Sequence, residues 1–177
     1  VTLENVIVCI QRAEMVMNVA DEVQKAIFEL GEDGRLLELQ LEELIGNLEN
    51  EELLMIKDYV VENKKRTAEK VFQDIKKLSY DDLMKSQVIA KLLGYQDFDN
   101  YDEVGVYTKG YRVLNKIPRM PSSIVENLVK SFKSFQHILA ADIPRLDEVD
   151  GIGEVRARTI KQSLRRMQEQ FVFDNEI

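Results

Sequence analysis

Leu146-Asp147-Glu148-Val149-Asp150-Gly151-Ile152-Gly153-Glu154-Val155-Arg156-Ala157-Arg158-Thr159-Ile160 is an apolar run that ends in Gly-Ile-Gly and then opens a basic helix. Two glycines let the backbone turn tightly and approach a partner closely. The helix that follows begins with unpaired N–H groups and the positive end of its dipole. Such a turn holds a phosphate without reading a base. In that reading the amides around Gly153, Glu154 and Val155 face the anion, and Ile152 plugs downward to hold the turn. Arg156, Arg158 and Lys161 add cations just past it, and such charges give affinity and salt dependence without base identity. A plainer reading stands beside this one. Tight helix–helix turns often use glycine for geometry alone, and Arg156, Arg158, Lys161, Arg165 and Arg166 also suit a solvated helix face.

An earlier unit, Tyr111–Val129, is built like Leu146–Leu164. Val113, Leu114 and Ile117 precede Pro118-Arg119-Met120-Pro121-Ser122-Ser123, and a helix follows. Prolines take the turn where glycines serve later. Arg119, Met120, Ser122 and Ser123 are its candidate phosphate contacts, with Ser122 or Ser123 equally suited to cap the helix. Between the units, Ser134 is placed to cap a helix over 135–140. Asp142 is placed to cap one over 143–149, with Pro144 in its first turn. The order apolar-x-x-apolar-x-Gly-apolar-Gly, then Ala and an apolar residue, is met by Val149, Gly151, Ile152, Gly153, Ala157 and Ile160. It resembles the helix-hairpin-helix family, and the two units together resemble its tandem form.

Charge divides the chain at the same place. Residues 1–108 hold 12 Lys and Arg against 23 Asp and Glu, whereas residues 109–177 hold 12 against 9. The net charge of −8 therefore hides an acidic body with a basic tail. All three prolines lie in the second part. We expect two domains, 1–108 and 109–177. No run approaches the ~20 apolar residues of a membrane span and no signal peptide is visible; a lone cysteine, which allows no internal disulfide, fits a reducing cytosol, and a cytoplasmic location is the expectation. Val1 stands where an initiator Met would, so the chain reads as a fragment lacking an N-terminal part. Cys9 is the single cysteine and, with apolar flanks, is expected to be buried and inert.

The first domain reads as long helices. Leu3, Val6, Ile10, Ala13, Met17, Ala20, Gln24 and Ile27 form an a/d-like seam, which Val16, Val19 and Val23 widen. Gly31 stops this helix. A second begins near Arg35 with Leu37, Leu41, Leu44 and Leu48 as its stripe, antiparallel to the first, and Gly46-Asn47 is its weak point. Residues 51–78 continue helically, with Leu53, Ile56, Val60, Thr67, Val71, Ile75 and Leu78 on one side. Ser79 opens a helix that runs through Leu93 to Gly94. Tyr95, Phe98, Tyr101 and Tyr107 mark an irregular connector over 95–110, either pinned onto a helix or offering a binding surface. Lys64-Lys65-Arg66 suits a solvated helix face or a second nucleic-acid contact, the former better. Glu49-Asn50-Glu51-Glu52 lacks the Glu-x-x-His partner that a carboxylate metal site in a bundle uses. His137 reads as a packing residue, and no nucleophilic triad can be assembled.

Extended outward, the resemblance takes in Gly110-Tyr111-Arg112-Val113-Leu114 with Lys116-Ile117-Pro118-Arg119-Met120-Pro121. It also takes in Gln11-Arg12-Ala13-Glu14-Met15-Val16, Ala20-Asp21-Glu22, Leu30-Gly31 and Gln40-Leu41-Glu42-Glu43-Leu44. These resemble the DNA integrity scanning family of diadenylate cyclases, in its helical linker and tandem hairpin regions. The resemblance implies an octameric, nucleoid-associated parent that makes cyclic di-AMP from two ATP with Mg or Mn and senses branched DNA. It also implies a monovalent cation held by backbone carbonyls at the hairpin. That family's cyclase domain lies N-terminal and carries Asp-Gly-Ala and Arg-His-Arg motifs. Here Asp33-Gly34-Arg35 sits between two helices and His137 has no Arg neighbour, so no catalysis is expected of this piece. The expectation is an all-α chain: an antiparallel long-helix scaffold followed by a tandem helix-hairpin-helix domain that binds DNA phosphates. The alternative is a helical interaction or oligomerisation scaffold.

Overall fold

A computed structural model describes residues 1–174, and side chains through residue 170; the last three residues of the expected second domain lie outside it. The chain is all-α, and among the described residues the bridges Thr2–Gly105 and Asn63–Arg66 stand isolated, outside any strand. It forms two compact units, Val1–Val106 and Tyr107–Ile177.

The first unit opens with α1 (Leu3–Glu29), capped by Thr2 and Asn5 in a reciprocal box. Gly31, at φ +62°, ends it, and a short 3-10 turn leads into α2 (Arg35–Ile45). The chain doubles back there, with Gln24 Nε2 donating to Glu38 Oε1 at 2.9 Å. Gly46-Asn47 breaks the second helix outright, and α3 (Leu48–Tyr59) follows. The expected seam of α1 is buried at Leu3, Val6, Ile10, Met17, Ala20 and Ile27. Its widening is not: Val16, Val19 and Val23 are exposed, as are Leu37 and Leu44 of the expected α2 stripe. The first half of α1 is roofed by α3 and later helices, but the second half meets α2 along one line. A wider apolar face there finds no neighbour. Cys9 is exposed, because its apolar sequence neighbours point about 100° away on either side of a helix.

Residues 51–78 are two helices, not one. After α3 the chain is extended, Asn63 makes a tight turn, and Thr67 caps α4 (Ala68–Lys76), its hydroxyl accepting from Lys70 N at 3.3 Å. The apolar period survives the break because both helices face one core of Leu3, Ile7, Ile10, Ile56, Val71, Ile75, Ile89 and Leu93. Lys64-Lys65-Arg66 therefore lies on a turn, not a helix face. Ser79 caps only α5 (Tyr80–Leu83), and α6 (Ser86–Leu93) starts afresh before Gly94 at φ +96°. Two connector aromatics are pinned: the Tyr95 hydroxyl donates to Tyr59 O and the Tyr101 hydroxyl to Asp97. Tyr107 is exposed.

The second unit holds α7 (Tyr111–Asn115), α8 (Ser122–Phe132), α9 (Phe135–Ala140), α10 (Ile143–Asp147) and α11 (Glu154–Asp174). Ser134 caps α9 and Asp142 caps α10, which ends two residues earlier than expected. Leu114, Leu128, Ile138, Leu146 and Ile160 are fully buried at its centre. His137 is exposed rather than packed, with Nδ1 at 3.1 Å from Phe132 O. Neither Ser122 nor Ser123 caps α8: Pro121 holds that position, with no side-chain bond to the helix.

Candidate functional site

Each of two helix–turn–helix units, α7–α8 and α10–α11, turns through one left-handed residue. In the second it is Gly151, at φ +80°; in the first it is Arg119, at φ +59°. Ile117 and Val149 are buried beneath the two turns. Val125 N donates to Pro121 O as Ala157 N donates to Gly153 O. The turns thus share one backbone path, and Arg119 holds it without glycine at a cost of about 1 kcal/mol.

The second turn is locked from beneath. Ile152 is buried, and Asn127 Nδ2 of α8 donates to Asp150 O at 3.0 Å. A Cβ on Gly151 would lie 2.5 Å from Ile124 Cδ1. Gly153 differs. It has no left-handed φ, and a Cβ built on it meets nothing within 4 Å. Nothing inside the chain demands glycine there, and the equivalent residue of the first unit is Pro121. The amides of Gly153, Glu154 and Val155 have no hydrogen-bond partner among the described residues and open onto solvent, Val155 being 81% exposed.

A cleft of about 530 Å³ gathers the turn of the first unit and the start of α11: Arg119 and Met120 on one wall, Gly153, Glu154, Val155 and Arg156 on the other. Arg156 folds back so that its guanidinium donates to Gly151 O. A cation beside a helix N-terminus adds positive charge to the positive end of the dipole, an arrangement that an anion relieves. Glu154 meets part of that field and is bonded to Arg158 one turn on.

Six of the twelve expected contact residues therefore meet in this cleft; Gly151 and Ile152 build its turn. Arg158 is exposed beside it, on Glu154. Ser122 and Ser123 are exposed in the first turn of α8, outside the cleft lining. Lys161 is half-buried, and its ammonium donates to Leu139 O at 2.7 Å and Ala141 O at 2.6 Å, closing the end of α9. The carbonyls of Val149, Asp150, Gly151 and Gly153 each already accept a hydrogen bond.

The sequence reading missed a buried charged cluster in the first unit. Glu14 and Glu52 are buried, and both Glu52 oxygens lack a hydrogen-bond partner. Lys76 Nζ lies 3.6 Å from Glu14 Oε1 and 2.9 Å from Glu49 Oε1. Burial, then the neighbouring Glu14, pushes Glu52 up to about 8. The acidic run thus turns one member inward without a histidine. Its signal was position: Glu52 lies four residues before Ile56, on the core side of α3. Among the described residues no His, Cys, Asp and Glu group suits a metal ion, and no helix is long and apolar enough to cross a membrane.

The family model described as DisA bacterial checkpoint controller linker region matches residues 1–101. The DNA integrity scanning protein DisA of Acetivibrio thermocellus is 47% identical over 175 residues, covering 99% of this chain and 48% of its own length. The protein of that name from Carboxydothermus hydrogenoformans is 44% identical over 170 residues, covering 96% and 48%. One from Clostridium botulinum is 42% identical over 176 residues, covering 99% and 49%. The chain spans about half the length of the curated relatives it matches.

Proposed function

The chain belongs to the DisA bacterial checkpoint controller linker family, and from that premise we propose that its second unit binds the phosphate backbone of DNA. Gly153, Glu154 and Val155 offer amides to a phosphate oxygen, and Arg119 and Arg156 neutralise it from either side of the cleft. Arg158 adds a charge at the rim, and Ser122 and Ser123 offer hydroxyls on the first unit. Gly151, Ile152 and Met120 shape the two turns. Binding of this kind follows charge and backbone geometry, not base identity, and suits branched or junction DNA. The observation that carries the reading is Gly153: its missing Cβ serves no internal need and leaves room for an outside partner. The relatives' name, DNA integrity scanning protein, agrees with it.

For the longer protein we propose diadenylate cyclase activity, making cyclic di-AMP from ATP with a divalent metal in a part these residues do not span. An octameric, cytoplasmic, nucleoid-associated protein belongs to the same proposal. The test of the DNA reading is Gly153→Val, since a side chain there enters open space and covers the amides. Titrating a labelled four-way junction should show affinity at least about tenfold weaker, the loss of one charge-assisted phosphate contact being worth about 1.5–3 kcal/mol, with the circular dichroism of the wild type. Unaltered junction affinity overturns the phosphate cradle. One observation favours a second reading, an oligomerisation scaffold: Val19 and Phe28 of α1 and Leu36 and Leu44 of α2 are all more than half exposed. That reading predicts self-association of the chain by sedimentation, insensitive to salt.

A further inference from the structure

Five cations surround one cleft in the acidic half of the chain. Lys64, Lys65, Arg66, Lys70 and Lys91 line it, and Asp74 is the one carboxylate in the lining. Residues 1–108 hold 12 Lys and Arg against 23 Asp and Glu. Five of those twelve cations meeting around one acid is a segregation that runs against the charge of the whole region. Elsewhere in the unit Lys25, Lys57, Lys76 and Lys85 each lie within ion-pair distance of a glutamate or aspartate. Lys64, Lys65, Lys70 and Lys91 have no such partner among the described residues.

Local structure builds the cleft. Asn63 Oδ1 accepts from Lys65 N at 2.9 Å and Arg66 N at 2.8 Å, and Asn63 and Arg66 exchange backbone bonds of 3.0 and 3.1 Å. That closes a tight turn with Lys64 and Lys65 at its tip. Arg66 is clamped behind them: its guanidinium donates to Val61 O at 3.1 Å and lies against Gly94, where any Cβ would strike it. Lys70 reaches in from α4, with Nζ 3.4 Å from Lys65 O, and Lys91 comes from the last turn of α6. The cleft is open, measures about 650 Å³, and its lining carries no aromatic ring on which a base could stack. Like charges held within a Debye length of about 10 Å repel one another, and a polyanion relieves all of them together. A cluster of cations with no ring to stack on favours a phosphate backbone over a base.

We propose that this cleft is a second contact for nucleic-acid phosphates, distinct from the helix–turn–helix units. It rests on the reading of the chain as DNA-binding. The test is Lys64→Gln, Lys65→Gln and Lys91→Gln combined in the full chain. All three side chains are exposed, and Arg66 is left in place because it packs on Gly94. Labelled duplex and junction DNA are titrated across a salt series, with unchanged circular dichroism as the folding control. Each lost phosphate contact lowers the slope of log affinity against log salt by about 1, so the triple variant should lose about 2 to 3. Its low-salt affinity should fall by at least about tenfold. Gly153→Val is run in parallel. If it binds normally while the triple variant does not, the cradle at Gly153 fails and the cleft stands. If the triple variant keeps the wild-type slope, the cleft proposal is overturned whatever Gly153→Val does. If it keeps that slope but loses a thermal stabilisation that ATP gives the wild type, the cleft takes free nucleotide and the proposal is likewise overturned. A wild-type chain that binds neither DNA overturns both.

Discussion

Replacing Glu52 with glutamine should stabilise the protein at neutral pH and flatten its pH dependence. Glu52 is 3% exposed, both its oxygens lack a hydrogen-bond partner, and it is pushed from an ordinary 4.5 up to about 8 by burial and then by Glu14. Three elements face it: α1 brings Glu14, α3 brings Glu49 beside Glu52 itself, and α4 brings Lys76, whose field opposes the rise without cancelling it. Across that window the folded chain holds a proton that the unfolded chain has released. Stability is then full below the unfolded value and is lost as pH rises, by about 1.4 kcal/mol per unit. By pH 7 this one group has removed about 3 kcal/mol. Glutamine has no proton to lose, and its amide can donate toward Glu14. The variant should match the wild type near pH 4.5 and exceed it at pH 7 by about 2 kcal/mol, allowing for local relaxation, or about 6 °C in Tm. The chain has no tryptophan, so urea unfolding followed by circular dichroism at several pH values is the assay, with the midpoint read at constant m. A wild type equally stable at pH 5 and pH 8, with the glutamine variant weaker at both, would mean that Glu52 is ionised and held by Lys76, and the reasoning would be refuted.

Two further substitutions separate folding from binding in the second unit. Arg119→Gly relieves a left-handed residue at φ +59°, so Tm should hold or rise, the gain being below about 1 kcal/mol; junction affinity should fall with a salt slope smaller by about 1. A drop in Tm with unchanged affinity would mean that Arg119 serves the turn alone. Lys161→Met removes the two bonds to Leu139 O and Ala141 O and should cost about 2 kcal/mol in chemical denaturation, with an unchanged salt slope. Lost affinity at unchanged stability would instead put its ammonium on phosphate.

What could be read from the residues alone was local. Ser134, Asp142 and Gly31 ended or opened helices where their side chains or φ freedom required it, because a cap is settled within a few residues. The seam of α1 was legible because each turn of a helix repeats the same face. The failures share a different cause. Val19 and Leu44 are as apolar as Ile10, yet burial depends on whether another helix covers that side, and where α1 meets α2 their sides stay open. The same limit hid the break at 60–67: Asn63 and Thr67 are ordinary helix-surface residues until a turn gives their oxygens an amide to accept, and the apolar period on both sides masked them. Lys161 reads as a free cation on a basic helix, while its carbonyl partners come from α9, some twenty positions away. Lys64, Lys65, Lys70 and Lys91 read as scattered surface charge for the mirror-image reason, since the turn and two helices that bring them together are invisible in their spacing. Charge in this chain therefore divides by partner rather than by sequence: Lys76 and Lys161 meet carboxylates or carbonyls that hold the fold, whereas Lys64, Lys65 and Lys91 meet no carboxylate among the described residues and are available for an anion from outside.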